Sequence, residues 1–290
     1  MKYLVTGAGG QLGQALVDCL MQQAAVFTAY QHSELDITDR HEVERVLLRD
    51  RPDVVINTAA YTAVDKAESE WPQVYAVNVE GVQHLADLCQ QLDILLVQLS
   101  TDYVFAGEAL AAYQETDATQ PLSAYGRSKL LAEQVVAKNS RYLIVRSSWV
   151  FSHYGHNFVK TILKAAAERD RLSVVDDQVG SPTSALELAK AILQLADKVI
   201  ADLALSGCYH YSGATSLSWY EFACRITVIA AQQGVLGKVP SIQPISSDKY
   251  PSKAIRPAFS ALDCSKIKAL GIRTVELDTA LEKVIHLLAH

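Results

Sequence analysis

The chain has 290 residues, half of them hydrophobic and one fifth charged, with a formal net charge of −6; that is material for one large or two modest domains. No Lys/Arg run supplies the basic face of a non-specific nucleic-acid binder, whereas an anionic small substrate needs only helix N-termini and a few local cations. No run reaches the ~18 apolar residues of a membrane span, and Met1-Lys2-Tyr3-Leu4-Val5 leads into a strand rather than a signal peptide, so a cytoplasmic protein without membrane association is expected. The five cysteines (Cys19, Cys89, Cys208, Cys224, Cys264) are scattered without a Cys-x-x-Cys spacing and read as reduced thiols.

Residues 3–6 read as a strand and 11–23 as a helix. A second strand follows at 25–29, then a helix over 40–49 with Val43, Val46 and Leu47 on one side. The third strand, 53–58, is a β-branched run of the kind buried in parallel sheets. Next come a helix over 71–91, a strand at 94–99, a helix over 124–138 and a strand at 142–146. This alternation predicts right-handed βαβ units and an α/β, Rossmann-type doubly wound parallel sheet.

After Trp149 the rhythm loosens. Helices are expected at 157–168, 183–195, 218–233 and 278–289, short strands at 172–175 and 208–211, and an irregular Pro/Ser-rich stretch at 240–257. Residues 1–150 thus read as a dinucleotide-binding domain. Residues 151–290 read mainly as a smaller substrate-binding α/β lobe, with some elements returning to the large sheet.

Thr6-Gly7-Ala8-Gly9-Gly10-Gln11-Leu12-Gly13 lies between the first strand and the first helix. Gly7, Gly10 and Gly13 suit a tight turn, close approach of backbone to a pyrophosphate and packing of helix on strand. The helix start then offers free N–H groups to an anion. Gly7, Gly10, Gln11, Leu12 and Gly13 are therefore taken as cofactor contacts. The second strand ends Thr28-Ala29-Tyr30-Gln31-His32, with neither the acid of an NAD site nor an arginine for a 2′-phosphate, so NADPH and NADH both stay open. Asp36 and Ile37 are candidates to flank the adenine, with a helix N-cap as the alternative for Asp36. The small pair Ala59-Ala60, followed by Tyr61, lets backbone lie against the cofactor.

Tyr125 and Lys129, in Ala124-Tyr125-Gly126-Arg127-Ser128-Lys129, are four apart and share one helix face. Hydride addition to a ketone leaves an alkoxide that needs a proton from a positioned acid. The expectation is that the Lys129 ammonium draws the Tyr125 phenol down from its usual range and also binds the nicotinamide ribose. Thr101 closes the strand at 94–99, where its hydroxyl can reach a substrate carbonyl or cap the following turn.

Together these residues resemble the extended short-chain dehydrogenase/reductase family over essentially the whole chain. The likeness rests on the glycine turn, Asn78 in Val77-Asn78-Val79-Glu80-Gly81, the Ser100-Thr101-Asp102 strand end and the Tyr125/Lys129 pair. It extends to Leu35-Asp36-Ile37-Thr38, Arg146-Ser147-Ser148-Trp149-Val150, Asp177-Gln178-Val179-Gly180-Ser181-Pro182-Thr183 and, in degenerate form, the segment from Arg256 to Asp263. The resemblance implies an oxidoreductase that uses NADPH or NADH to reduce the C4 keto group of a nucleotide-linked deoxysugar. It makes Thr101, Tyr125 and Lys129 the catalytic set, and Thr101, Asp102, Trp149 and Asn157 the sugar contacts. Arg256 is a candidate for the substrate diphosphate, since a planar fork suits phosphate.

Some relatives dimerise around a glutamate-held magnesium. One of those glutamate positions is Ala15 here, although Glu187 is retained. No metal is therefore expected, and the chain is read as a monomer or homodimer. Sugar 4,6-dehydratases need an Asp-Glu pair where this chain has Asp102-Tyr103. A 4-epimerase and a non-catalytic dinucleotide-binding regulatory subunit stay as alternatives.

Overall fold

The computed structural model describes residues 1–289. Strands β1 (Lys2–Thr6), β2 (Val26–Tyr30), β3 (Val54–Asn57), β4 (Leu95–Thr101) and β5 (Tyr142–Ser147) alternate with helices through the first half of the chain. The later strand Gly207–His210 adds itself to β5. The resulting sheet has six strands in the order Gly207–His210, β5, β4, β3, β1, β2, and every neighbouring pair is parallel. The fold is a Rossmann-type doubly wound α/β sheet.

Both faces of the sheet are covered, which explains why its strands are apolar at successive positions rather than alternate ones. Tyr3 and Val5 of β1 face helices Gln11–Gln22 and Ala185–Ala201, contributing to a core with Leu16, Leu20, Leu188 and Ile192. Leu4 points the other way, into a core shared with Val43, Leu47, Leu85 and Ala132 of helices Arg40–Asp50, Gly81–Gln91 and Ala124–Val136. Each fully buried leucine contributes about 1.5–3 kcal/mol. The buried polar exceptions form a ladder across three strands: Thr6 Oγ1 donates to Asn57 Oδ1 at 2.6 Å, and Asn57 Nδ2 donates to Gln98 Oε1 at 2.7 Å. Since each of these groups has a partner, burial costs little.

Strand order reverses between β1 and β3, and the crevice beyond their C-terminal ends is where such sheets bind ligands. The second half of the chain builds a separate apolar cluster, with Phe151, Val159, Phe222, Ile226 and Leu281 at its centre. Helix Trp219–Gln232 there starts in a capping box, Ser218 and Glu221 each bonding the other's backbone N–H, a signature of a fixed helix start. No helix of the described residues is long and apolar enough to cross a membrane.

Two expectations change. The helix expected over 71–91 is broken: Trp71–Tyr75 and Gly81–Gln91 are α-helical, and Ala76–Glu80 between them is a π-helical turn. A π turn accommodates an extra residue and redirects the side chains in it, here bringing Asn78 inward. The stretch 240–257, expected to be irregular, contains strand Ser241–Ile245 paired in parallel with Arg171–Val175. Pro244 is admissible in it because this is a two-stranded sheet, whose edges do not ask every residue for an N–H.

Candidate active site

The glycine turn sits in the β1/β3 crevice. Gly7 has φ +67°, and a Cβ there would lie 2.5 Å from the Ala59 backbone nitrogen; one on Gly13 would lie 2.4 Å from the Gly7 carbonyl oxygen. Glycine is thus required at both, by the left-handed turn and by the close approach of three backbone segments. Helix Gln11–Gln22 begins at Gly10 with no side-chain cap and no acid in its first turn, so its first N–H groups remain available to an anion.

A cleft of about 750 Å³ opens over this turn, within the range of cofactor sites. Every first-half residue assigned to the cofactor except the Tyr125/Lys129 pair lines it: Gly7, Gly10, Gln11, Leu12, Gly13, Asp36, Ile37, Ala59, Ala60 and Tyr61. The uncapped helix start and the glycine cradle, which any Cβ would fill, make these residues fit a dinucleotide pyrophosphate. Gln31, His32 and Ser33 also line the cleft. They were not singled out from sequence, although their place directly after β2 was the available signal. Asp36 is not the helix N-cap; Asp39 is. The Asp36 carboxylate accepts from the Thr38 N–H at 2.9 Å and hydroxyl at 2.8 Å, and these bonds hold its pKa below the ordinary value against the cost of burial.

Thr101 ends β4, caps the turn Asp102–Val104 by accepting from the Tyr103 N–H at 3.2 Å, and is 7% exposed. Its hydroxyl reaches the Tyr125 phenol, so residues 24 apart in sequence meet at the strand end. Lys129 follows one helical turn after Tyr125 and is 4% exposed. Burial pulls its pKa down to about 8, against the attraction of Glu133. Burial likewise pushes Tyr125 up to about 12, assisted by the Asp102 charge and opposed by the Thr101 hydroxyl. That direction is opposite to the expected lowering by Lys129. Desolvation of the phenolate dominates, and Lys129 is not among the groups that act on it, so Tyr125 holds its proton.

Three residues expected to meet substrate have partners within the protein. The Asp102 carboxylate is 2% exposed and accepts from Thr101 Oγ1 at 3.0 Å and from Ser260 Oγ at 2.6 Å; burial lifts its pKa to about 6. It holds the Thr101 hydroxyl in place. Asn157 caps helix Phe158–Glu168 through the Lys160 N–H and donates to Gln11 Oε1 at 2.9 Å and Ser152 O at 2.7 Å. Its amide is spent tying the second-half loop to the glycine turn. Arg256 forms a two-armed pair with Asp65 at 2.8 and 3.3 Å and also bonds Tyr103. Its fork therefore has a carboxylate partner already, and the pair holds Asp65 far below the usual carboxylate range.

Trp149 is half-buried, stacked on Trp219 with ring centroids 3.5 Å apart and 6° between planes. Its backbone φ is +46°, a strained conformation costing roughly 1–3 kcal/mol and concentrated at functional sites. Asn78 acquires a definite part: it accepts from the Tyr61 N–H at 2.8 Å and donates to Tyr61 O at 3.0 Å and Ser128 Oγ at 2.9 Å. It thus joins the cleft wall to the Tyr125 helix. Among the described residues no group of three or more His, Cys, Asp or Glu is placed to hold a metal, and the Glu187 carboxylate meets Lys190 at 2.7 Å.

A glycine turn feeding an uncapped helix at the sheet's switch point, with a Thr/Tyr/Lys set past the strand ends, defines a dinucleotide-dependent oxidoreductase of the Rossmann class. The chain belongs to the family of the RmlD substrate binding domain, whose model matches residues 1–289. A dTDP-4-dehydrorhamnose reductase from Aggregatibacter actinomycetemcomitans is 42% identical over 98% of each chain. Among solved structures, a dTDP-4-dehydrorhamnose reductase from Clostridium acetobutylicum matches with a TM-score of 0.92 and 37% identity over 100% of both chains. One from Bacillus anthracis, in complex with NADP, matches at 0.91 and 35% over 99% of both.

Proposed function

We propose that this protein reduces the C4 keto group of dTDP-4-dehydro-L-rhamnose to give dTDP-L-rhamnose, a precursor for cell-surface polysaccharide such as O-antigen, acting in the cytoplasm as a monomer or homodimer. The observation that carries the reading is the contact of Thr101 with Tyr125, which has Lys129 one helical turn further along its own helix, in a chain that a protein of that name matches over 98% of both lengths.

A bound NADPH (or NADH) supplies the hydride to C4. The protein supplies the rest. Tyr125, protonated because burial disfavours its phenolate, donates its proton to the oxygen as negative charge develops there. The Thr101 hydroxyl, held by Asp102, orients that oxygen. Lys129 would hold the cofactor ribose, with its charge one helical turn from the phenol. Gly7, Gly10, Gln11, Leu12 and Gly13 would hold the pyrophosphate, Asp36 and Ile37 would flank the adenine, and Ala59, Ala60 and Tyr61 would lie against the cofactor between them. Trp149, whose ring is fixed by its stack on Trp219, is read as a sugar contact with Thr101, Asp102 and Asn157, and Arg256 as a contact of the substrate diphosphate. Gln31, His32 and Ser33 bring no carboxylate to the ribose end, which favours NADPH, since none repels a 2′-phosphate.

The test is a mixture of the protein, NADPH and dTDP-4-dehydro-L-rhamnose, followed by loss of reduced-nicotinamide absorbance, with NADH in parallel. Cofactor consumption that tracks formation of dTDP-L-rhamnose is expected. A protein that binds NADPH yet leaves every dTDP-linked keto sugar unreduced would overturn the proposal.

A further inference from the structure

Lys129 is a buried amine that has to stay charged, and burial works against it. What opposes burial lies one further turn along the same helix. Tyr125, Lys129 and Glu133 follow at intervals of four and so share a face. Glu133 is 5% exposed, and three donors fix its carboxylate: Arg146 Nε at 2.9 Å, Arg146 Nη2 at 2.7 Å and the Ser100 hydroxyl. Arg146 stands on β5 and Ser100 on β4, so two neighbouring strands clamp a single side chain of the Tyr125 helix.

The clamp is itself held. The Arg146 guanidinium lies 5.1 Å from the Phe105 ring centroid and 3.3 Å from His210 Nε2. His210 Nδ1 bonds the Tyr113 carbonyl at 3.0 Å, which fixes the tautomer with its proton on Nδ1 and leaves Nε2 to accept from Arg146. A buried ion pair is seldom retained for stability, because desolvating two charges offsets most of their attraction. A charge held this firmly, one turn from a functional amine, has another use.

We infer that Glu133 is a positioning residue of the reductase: its carboxylate, immobilised by Arg146 and Ser100, keeps the Lys129 ammonium cationic and directed at the cofactor ribose and Tyr125. The inference rests on the role proposed above for Lys129. The neighbouring elements bring other titratable groups to this region: Asp102 after β4, Arg146 on β5, His210 and Cys208 on the edge strand, Glu115 beside His210, and Glu68 at the helix start. Of these charges, that of Glu133 is the one that acts on Lys129.

The experiment follows NADPH affinity by fluorescence titration, and kcat/KM in parallel, as pH rises through about 8, where Lys129 loses its proton. Removing a nearby opposite charge shifts such a midpoint by about 1 pH unit or more. In Glu133→Gln both profiles are expected to break about 1 pH unit lower than in the wild type, while Glu133→Asp, which keeps the charge, stays near it. Glu133→Gln alone leaves Arg146 buried without its partner and risks unfolding. Glu133→Gln/Arg146→Met removes both charges and is expected to show the same downward shift. A folded variant lacking Glu133 that keeps the wild-type midpoint in both readouts overturns the inference and leaves the reductase reading intact. A wild-type protein that binds no NADPH overturns both.

Discussion

An acid that is to deliver a proton must first be holding it, and the surroundings of Tyr125 see to that: burial and the nearby Asp102 charge push the phenol up to about 12. Tyr125→Phe removes the proton and little else. It is expected to lower kcat by about 10²–10⁴-fold, with NADPH affinity within about twofold of wild type; single-turnover kinetics with a fluorescence titration of the cofactor check this. Turnover close to wild type would move the acid elsewhere. The Tyr125/Lys129 spacing was legible because four residues along a helix is a local relation. The direction of the tyrosine shift was not, since it is set first by burial, which only the assembled fold reveals, and then by the Asp102 charge brought in from the end of β4. For the same reason the partners of Asp102 and Arg256 escaped sequence reasoning: Ser260 lies 158 residues from Asp102, and Asp65 lies 191 from Arg256.

Helix Gln11–Gln22 shows how an element can reverse an ordinary propensity. Replacing a helix-interior glycine by alanine in open surroundings is worth about 0.5–1 kcal/mol in favour of alanine. At Gly13 the added carbon would lie 2.4 Å from the Gly7 carbonyl oxygen and 2.7 Å from the Ala8 Cα, and neither backbone atom can swing aside. Gly13→Ala is therefore expected to be destabilising, by about 1–3 kcal/mol in denaturant melts, and to weaken NADPH binding at least tenfold by prising the helix start from the turn. A variant as stable and tight-binding as wild type would show that the turn has room to spare. The strands of the sheet were readable from their apolar runs. The π turn at Asn78 was not, because its hydrophobic spacing is continuous with the helices on either side and only the bonds to Tyr61 and Ser128 reveal it. Strand Ser241–Ile245 was missed because it is mostly exposed and so lacks the apolar signal on which strand recognition rests.

The whole molecule carries a titration hidden in its interior. His210 is fully buried and faces Arg146; burial first, and that positive charge second, drive its pKa down to about 3. An unfolded histidine titrates near ~6.5, so between about pH 6.5 and 3 the unfolded chain binds a proton that the native one refuses. Stability contributed by this site is thus fully present above ~6.5 and lost as pH falls. His210→Gln keeps an acceptor for Arg146 and a donor for Tyr113 but cannot take up the proton. The melting-temperature advantage of wild type over this variant is expected to shrink on acidification below ~6.5, as differential scanning calorimetry would show. A gap independent of pH would mean that His210 ionises freely in the folded state.

His210 closes the strand that completes the sheet, and that strand belongs to the second half of the chain. Until residue 207 has joined it, β5 is an outer rung with unpaired N–H and C=O groups along one side, a ready template for another chain. Any shortened product that ends after β5, whether from proteolysis or arrested synthesis, exposes this sticky border and also sheds helix Ala185–Ala201, the apolar roof over one sheet face. The two halves drawn from sequence are thus bound together: the sheet edge left by the first is covered by a strand that begins some 60 residues after its own last one.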